Sequence, residues 1–322
     1  MSKSRYQLHD LTIVITAKNA EKTIAFTLSS LVPTLERGAS CIIVNDCSED
    51  KTAEVIRQFE KTNKQTVTVT NSASLGAGIS RNIAIEKVET AIFAPLDADD
   101  WVSNSFYNAL IAGFNFQDSI DFVRCHYTEC RGSYRKIVRA PFAVTHRPFP
   151  PQLAIKSVNE LGMVDHPQMW AGAYSVDFFK KNNIYYDELA TAEDRIVNWK
   201  TQLLAKKMCI VEEAGIFYRR EHSPEALTEI GDLRQLDFLE AMLNIINFVT
   251  QNKYSEHLPK AIRQSLALIC HHISKKDRLN KDVVSELRKR SRIFLRKLPQ
   301  SQLSYAIQMI EPERKKIIKE LL

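Results

Sequence analysis

The chain has 322 residues, enough for one large domain or a domain with an appendage, and its 44% apolar and 25% charged shares are those of an ordinary globular protein. No run approaches the ~18 apolar residues of a membrane span, and the start Met1-Ser2-Lys3-Ser4-Arg5-Tyr6 lacks the apolar core of a secretory signal, so a cytoplasmic location is expected. The net charge of +6 is uneven: Ile230 to Leu322 hold 18 basic and 10 acidic residues against 26 and 28 before them, which marks a basic C-terminal module.

In chain order, Leu11-Thr12-Ile13-Val14-Ile15 reads as a buried strand closed by Thr16-Ala17-Lys18-Asn19, with Asn19 placed to cap the next helix. That helix carries Ile24, Leu28 and Leu31 on one face and is expected to end at Pro33 and Gly38. Cys41-Ile42-Ile43-Val44 is a second strand running into Asn45-Asp46-Cys47-Ser48-Glu49-Asp50, where Ser48 reads as a helix cap and Asp46 as either a cap or a ligand for a base or ribose. Val67-Thr68-Val69 supplies a third strand, and Ser74-Leu75-Gly76-Ala77-Gly78 a loop opening the helix that contains Arg81. The fourth strand, Ala91 to Leu96, delivers Asp97-Ala98-Asp99-Asp100. Strand–helix alternation of this kind implies a parallel sheet covered by helices.

After this the alternation becomes irregular. Asp121 to Cys125 reads as a strand, Pro141 to Pro151 as a loop, Val176 to Lys181 as a short helix, and Glu193-Asp194 opens an amphipathic helix with Ile196, Trp199 and Leu203 on one side. Met208 to Val211 is a further strand. From about Ala226 the sequence reads as helical throughout, and His271-His272 falls there as structural residues. The six cysteines are scattered without a C-x-x-C pair; Cys125-His126 with Cys130 lacks a second zinc-ligand pair, so buried thiols are expected.

Ligands of open α/β sheets bind outside the carboxyl ends of the strands, where Lys18 and Asn19, Asp46, and the acidic cluster all fall. Crowded carboxylates call for a cation, and hard divalent ions prefer carboxylate oxygens. Gly76-Ala77-Gly78 lacks the third glycine of a dinucleotide fingerprint. With Arg81 one turn on, it suits a diphosphate better.

Taken in order, Thr12 to Asn19, Ile42 to Asp50, Gly78-Ile79-Ser80-Arg81-Asn82 and Leu96 to Asp100 resemble the GT-A fold of the family 2 glycosyltransferases. Glu193-Asp194 is similar to the family's late acidic motif, and Tyr218-Arg219-Arg220-Glu221-His222-Ser223 to its closing segment. Asn45 and Cys47 stand where the family commonly has Asp and Gly. The resemblance covers Asp10 to Leu227 and implies a GT-A domain over residues 1–225; it does not cover the tail, whose helical periodicity and charge predict a basic helical extension over 226–322. It implies an inverting hexosyl- or N-acetylhexosaminyltransferase that takes a nucleotide-sugar donor, most often UDP-linked, and a glycan or lipid-linked acceptor in bacterial surface polysaccharide assembly. Ala17, Asn19, Asp46, Arg81, Asp97 and Asp99 would bind the donor: Asp46 at the base, Arg81 near the diphosphate or ribose. Asp99, with His222 as a further partner, would hold Mn²⁺ or Mg²⁺, and Asp194 would be the catalytic base. Asp100 receives no role. The basic tail suits an anionic membrane surface or a partner protein; nucleic acid is not expected, because no aromatic platform is interleaved with the charges. The alternatives are a sugar-phosphate nucleotidyltransferase, and a non-enzymatic scaffold acting through the tail.

Overall fold

A computed structural model of the protein describes residues 5–220 and 230–322. The chain divides into two compact units, the first comprising residues up to Leu153, Gln168–Glu188 and the chain from Leu204 to Arg220. The second comprises Ala154–Pro167, Leu189–Leu203 and the described chain from Ile230.

The first unit contains β1 (Leu11–Ala17), α1 (Ile24–Leu35), β2 (Ser40–Asn45), α2 (Thr52–Thr62), β3 (Thr66–Thr70), α3 (Ala77–Glu86), β4 (Ile92–Asp97) and β5 (Trp101–Val102). It continues with α4 (Phe106–Phe114), β6 (Phe122–Cys125), β7 (Tyr127–Arg131), β8 (Tyr134–Val138), β9 (Gly172–Ser175) and α5 (Val176–Lys181), and after the excursion into the second unit with β10 (Met208–Val211) and β11 (Ile216–Arg219). Seven strands form a sheet in the order β10-β6-β9-β4-β1-β2-β3, and four form a second in the order β5-β11-β7-β8. β1 to β4 are parallel, and the mostly apolar runs of β1, β2 and β4 suit their central places: Ile13, Ile15, Cys41, Ile43, Ala94 and Leu96 are buried in the core, whereas edge strand β3 is half polar. β9 runs antiparallel between β4 and β6, so the sheet is mixed.

The register sets the candidate site. Ala17 lies opposite Asn45, Asn45 opposite Thr70, and Thr16 opposite Asp97. The carboxyl ends of β1, β2 and β4 therefore line one edge, and the residues following them share it.

Several local expectations are corrected. Asn19 does not cap α1, which starts at Ile24; Asn19 has φ +48° and its side-chain oxygen accepts from the Glu49 N–H at 2.9 Å. Ser48 does not cap α2, because its hydroxyl accepts from the Asn19 N–H at 3.1 Å, while Asp50 takes the Thr52 N–H. Asn19 and Ser48 thus tie the turns after β1 and β2 to each other rather than capping their own helices. Pro33 lies inside α1 rather than ending it. β7, β8 and β9 are strands that the sequence pattern did not disclose.

The second unit is helical, with α6 (Asp194–Leu204), α7 (Asp237–Gln251), α8 (Leu258–Ser274), α9 (Lys281–Lys297), α10 (Gln300–Gln308) and α11 (Pro312–Leu321). α8 is its axis and meets α7, α9, α10 and α11, burying the expected stripe of Ile262, Leu266 and Ile269. The unit differs from a simple 226–322 extension because two earlier segments bond to α8. Asp165 pairs with Lys260 at 2.7 Å and accepts from Gln264 at 2.7 Å, and the Trp199 indole N–H donates to Gln264 at 3.0 Å. Removing either segment would leave these buried polar groups of α8 unsatisfied. Among the described residues no helix is long and apolar enough to cross a membrane.

Candidate active site

The first unit's strand ends build the site in two parts. Beyond β2, Asp46 is 2% exposed and its carboxylate accepts four hydrogen bonds: from the Asn71 amide at 2.8 Å, the Ser74 hydroxyl at 2.9 Å, and the N–H groups of Leu75 at 2.8 Å and Gly76 at 3.0 Å. Burial works to raise its pKa, but the four donors outweigh burial and hold the carboxyl below its ordinary value. These donors fill the acceptor positions of a carboxylate. In this structure Asp46 organises the loop before α3. Gly76, at φ +85°, adopts the left-handed backbone this turn requires. Cys47 has φ +55° at the position where the family commonly carries glycine. Lys18 reaches the same loop, donating to Ser74 at 2.6 Å, and the Ala17 carbonyl accepts from the Asp46 N–H at 2.8 Å.

Beyond β4 the chain turns sharply, the Asp100 N–H bonding back to the Asp97 carbonyl at 3.1 Å, and enters β5 of the second sheet. Thr23 and Thr27 of the α1 start both donate to the Ala98 carbonyl, at 3.1 and 2.9 Å, and fix this corner. Asp97, Asp99 and Asp100 bring one carboxylate oxygen each to within 4.8 Å of one another. Arg81, buried on α3, pairs with Asp97 at 2.8 Å and lies 5.4 Å from the Tyr186 ring centroid, so it steadies the cluster from behind. Asp99 opens to solvent, yet desolvation by surrounding protein and then repulsion from Asp97 push its pKa up to about 6.

Asp100 is the residue whose part the sequence did not reveal. It is fully buried; one oxygen accepts the Arg219 N–H at 2.8 Å, and the other has no partner among the described residues. Burial first, then Asp99 and Asp97, push its pKa well above the usual carboxylate range. Arg81 and Arg219 only partly compensate three crowded carboxylates, one of them buried with an orphaned oxygen. Three hard oxygen donors in this arrangement fit a divalent cation such as Mn²⁺ or Mg²⁺. Arg219, on β11, donates through Nε to the Asp99 carbonyl at 2.9 Å and closes the corner from the second sheet.

Of the other expected site residues, Asp194 is the first residue of α6 in the second unit, with Glu193 buried just before it. His222 lies outside the described residues. Asn19 is engaged with the turn after β2, as given above.

A sheet of this order, with an acidic corner at the end of β4, defines a glycosyltransferase of the GT-A class. The chain belongs to glycosyl transferase family 2, whose family model matches residues 12–177. It is 24% identical over 265 residues to EpsJ of Bacillus subtilis (strain 168), an uncharacterized glycosyltransferase, with 81% of this chain and 70% of that one covered. It is 23% identical over 250 residues to the poly(ribitol-phosphate) beta-N-acetylglucosaminyltransferase TarS of Staphylococcus aureus (strain MW2), covering 72% of this chain and 41% of TarS. The fold matches a crystal structure of S. aureus TarS 1-349 in complex with UDP-GlcNAc at a TM-score of 0.69 and 18% identity, covering 93% of this chain and 87% of that one. It also matches the mannosyltransferase PcManGT from Pyrobaculum calidifontis, in complex with GDP-Man and Mn²⁺, at a TM-score of 0.53 and 12% identity, covering 95% and 86%.

Proposed function

We propose that this glycosyltransferase moves a hexose or N-acetylhexosamine from a UDP-linked donor to a hydroxyl of a glycan or lipid-linked acceptor, with inversion, in the assembly of a bacterial surface polysaccharide. The orphaned, buried oxygen of Asp100 beside Asp97 and Asp99 carries the reading, because it marks a place built for positive charge at the sheet edge where nucleotides bind. A divalent cation held by Asp99, with Asp97 and Asp100, would neutralise the negative charge that grows on the leaving diphosphate. TarS bound to UDP-GlcNAc and PcManGT bound to GDP-Man and Mn²⁺ support the donor and the cation by analogy of fold.

The chain's own residues supply the rest. Arg81 holds Asp97 in place, and Asp46 shapes the loop that opens α3, whose N-terminus favours an anion. An attacking alcohol must lose its proton, and Asp194 is the proposed base, supported by its residue type and by its place in the Glu193-Asp194 motif. A single base opposite the leaving group gives one displacement and so inversion. The basic C-terminal helices are proposed to hold the protein at an anionic membrane surface or partner.

Thermal-shift titration of nucleotide sugars with and without Mn²⁺ should show stabilisation by the true donor, larger with the ion. Asp99→Asn and Asp194→Asn should each lower transfer by about 100-fold or more. Only Asp99→Asn should also lose the metal-dependent part of the shift. Normal turnover by Asp194→Asn removes the base assignment; an ion-independent donor shift in the wild type removes the cation.

A further inference from the structure

The second sheet carries a cationic feature distinct from the carboxylate corner. β8 is its edge strand, and the stretch from Arg131 to Arg139 contains four Lys or Arg and no Asp or Glu. Arg131 is paired with Glu129 at 3.0 Å. Arg135, Lys136 and Arg139 are exposed and make no ion pair among the described residues.

Strand register explains where Arg135 points. Trp101 pairs with Phe217, Arg219 with Cys130, and Cys130 with Arg135, so their side chains share one face. Phe217 stacks on Trp101 at 5.4 Å and 12°, and the guanidinium groups of Arg219 and Arg135 lie 4.8 and 5.9 Å from the centroid of the same indole. Phe26, 56% exposed, meets Trp101 edge-on at 5.4 Å, and Ile137 is 58% exposed on the same face. Two guanidinium groups gathered on one ring repel each other. Cation–π attraction offsets part of this; Arg219 is further offset by the Asp99-Asp100 corner, whereas Arg135 makes no ion pair among the described residues. Charge on an edge strand also guards against edge-to-edge pairing, but cations pointing anywhere would serve that purpose. Arg135 instead lies over Trp101, directly after Asp100 in the chain.

We propose that this ledge binds a phosphodiester of the acceptor, so that the enzyme glycosylates a polyol or sugar chain with phosphate in its backbone. Arg135 Nη1 donates to the carbonyls of Gly132 and Tyr134, which fixes the guanidinium and leaves its Nε and Nη2 side to meet phosphate oxygens bidentately. Phe26 and Ile137 offer an apolar strip to the carbon skeleton between phosphates. The inference rests on the transfer reading above and names the acceptor class for it.

The test uses the full chain, UDP-GlcNAc as donor, and two acceptor probes: a poly(glycerol phosphate) oligomer and a neutral glucan oligomer. Arg135→Ala should raise KM for the phosphate oligomer about tenfold and flatten its salt dependence. It should leave kcat and the slow hydrolysis of donor unchanged, and Arg135→Lys should restore part of the loss. Binding of labelled oligomer without donor, read by anisotropy, should weaken in parallel. Unchanged KM and anisotropy in Arg135→Ala overturn the ledge, as does a wild-type preference for the neutral oligomer. A variant that loses RNA or anionic-vesicle binding while keeping oligomer affinity overturns it too. Failure of the wild type to turn over any nucleotide sugar instead removes the transfer reading, and the anisotropy result then still decides whether the ledge binds phosphodiesters.

Discussion

Asp46 is a carboxylate fully committed to its own chain. Replacing it with Asn keeps the shape but turns an amide N–H₂ towards a position now occupied by N–H donors, a mismatch of about 1–3 kcal/mol. Asp46→Asn should lower the denaturant midpoint and weaken UDP binding in titration calorimetry, because the loop opening α3 loosens. The pH dependence has a definite sign. The folded pKa lies below the ordinary 3.8, so the stabilisation is complete above about pH 4 and is lost as pH falls through the folded value; the variant should lack this acid-side slope. At this scale the sequence was informative where a carboxylate followed an apolar run: Asp46, Asp97 and Asp99 fall on one sheet edge, and Arg81 of α3 reaches it by pairing with Asp97. It was silent on Asp100, because burial of that side chain depends on Arg219, 119 residues away, arriving through β11. No local spacing encodes that meeting.

Periodicity made the buried parallel strands and the stripes of α6 and α8 legible, because both are set by burial. It missed β9, whose Gly172-Ala173-Tyr174-Ser175 has no β-branched residue, and β8, whose residues are almost all exposed. Caps were misplaced for a related reason: Asn19 and Ser48 can each bond to any nearby N–H, and the parallel strands bring the two turns together. α8 carries a prediction of its own. His272 is buried, stacks on Phe238 with centroids 4.4 Å apart, and faces Arg278 Nη2 at 2.9 Å from its Nδ1. Burial first, then Arg278 and His271, hold its pKa down at about 3 against an ordinary 6.5. Between those values the unfolded chain binds the extra proton, so stability should fall as pH drops from about 6.5 towards 3, by on the order of 2–4 kcal/mol. Thermal unfolding followed across this range should show the loss, and His272→Phe should flatten it; an unchanged slope in that variant would assign the acid sensitivity elsewhere.

Charge asymmetry is the property of the whole molecule that composition alone disclosed. In the helical unit it is displayed on α9, where Lys289, Arg292 and Arg296 are exposed around Ile293, itself 46% exposed. If this face meets an anionic membrane, changing the three cations to Gln should weaken sedimentation with phosphatidylglycerol-containing vesicles about a hundredfold, at roughly 1 kcal/mol each. Binding of the wild type should fall with added salt and vanish on neutral vesicles. Equal binding to neutral vesicles would refute the electrostatic attachment. β9 has a consequence for how the chain comes into being. β6 and β4 have no bond to each other except through this strand, and Gly172 to Ser175 are translated long after both. Until then the β4 edge of the parallel strands stays open and β6 is unpaired, since its other neighbour β10 comes later still, a hazard for mispairing. The family match ends at residue 177, just past the point where β9 is complete. Fragments stopping before Gly172 should therefore aggregate on release from the ribosome, and the four residues of this unassuming strand act as the clasp that joins β6 to the parallel strands already made.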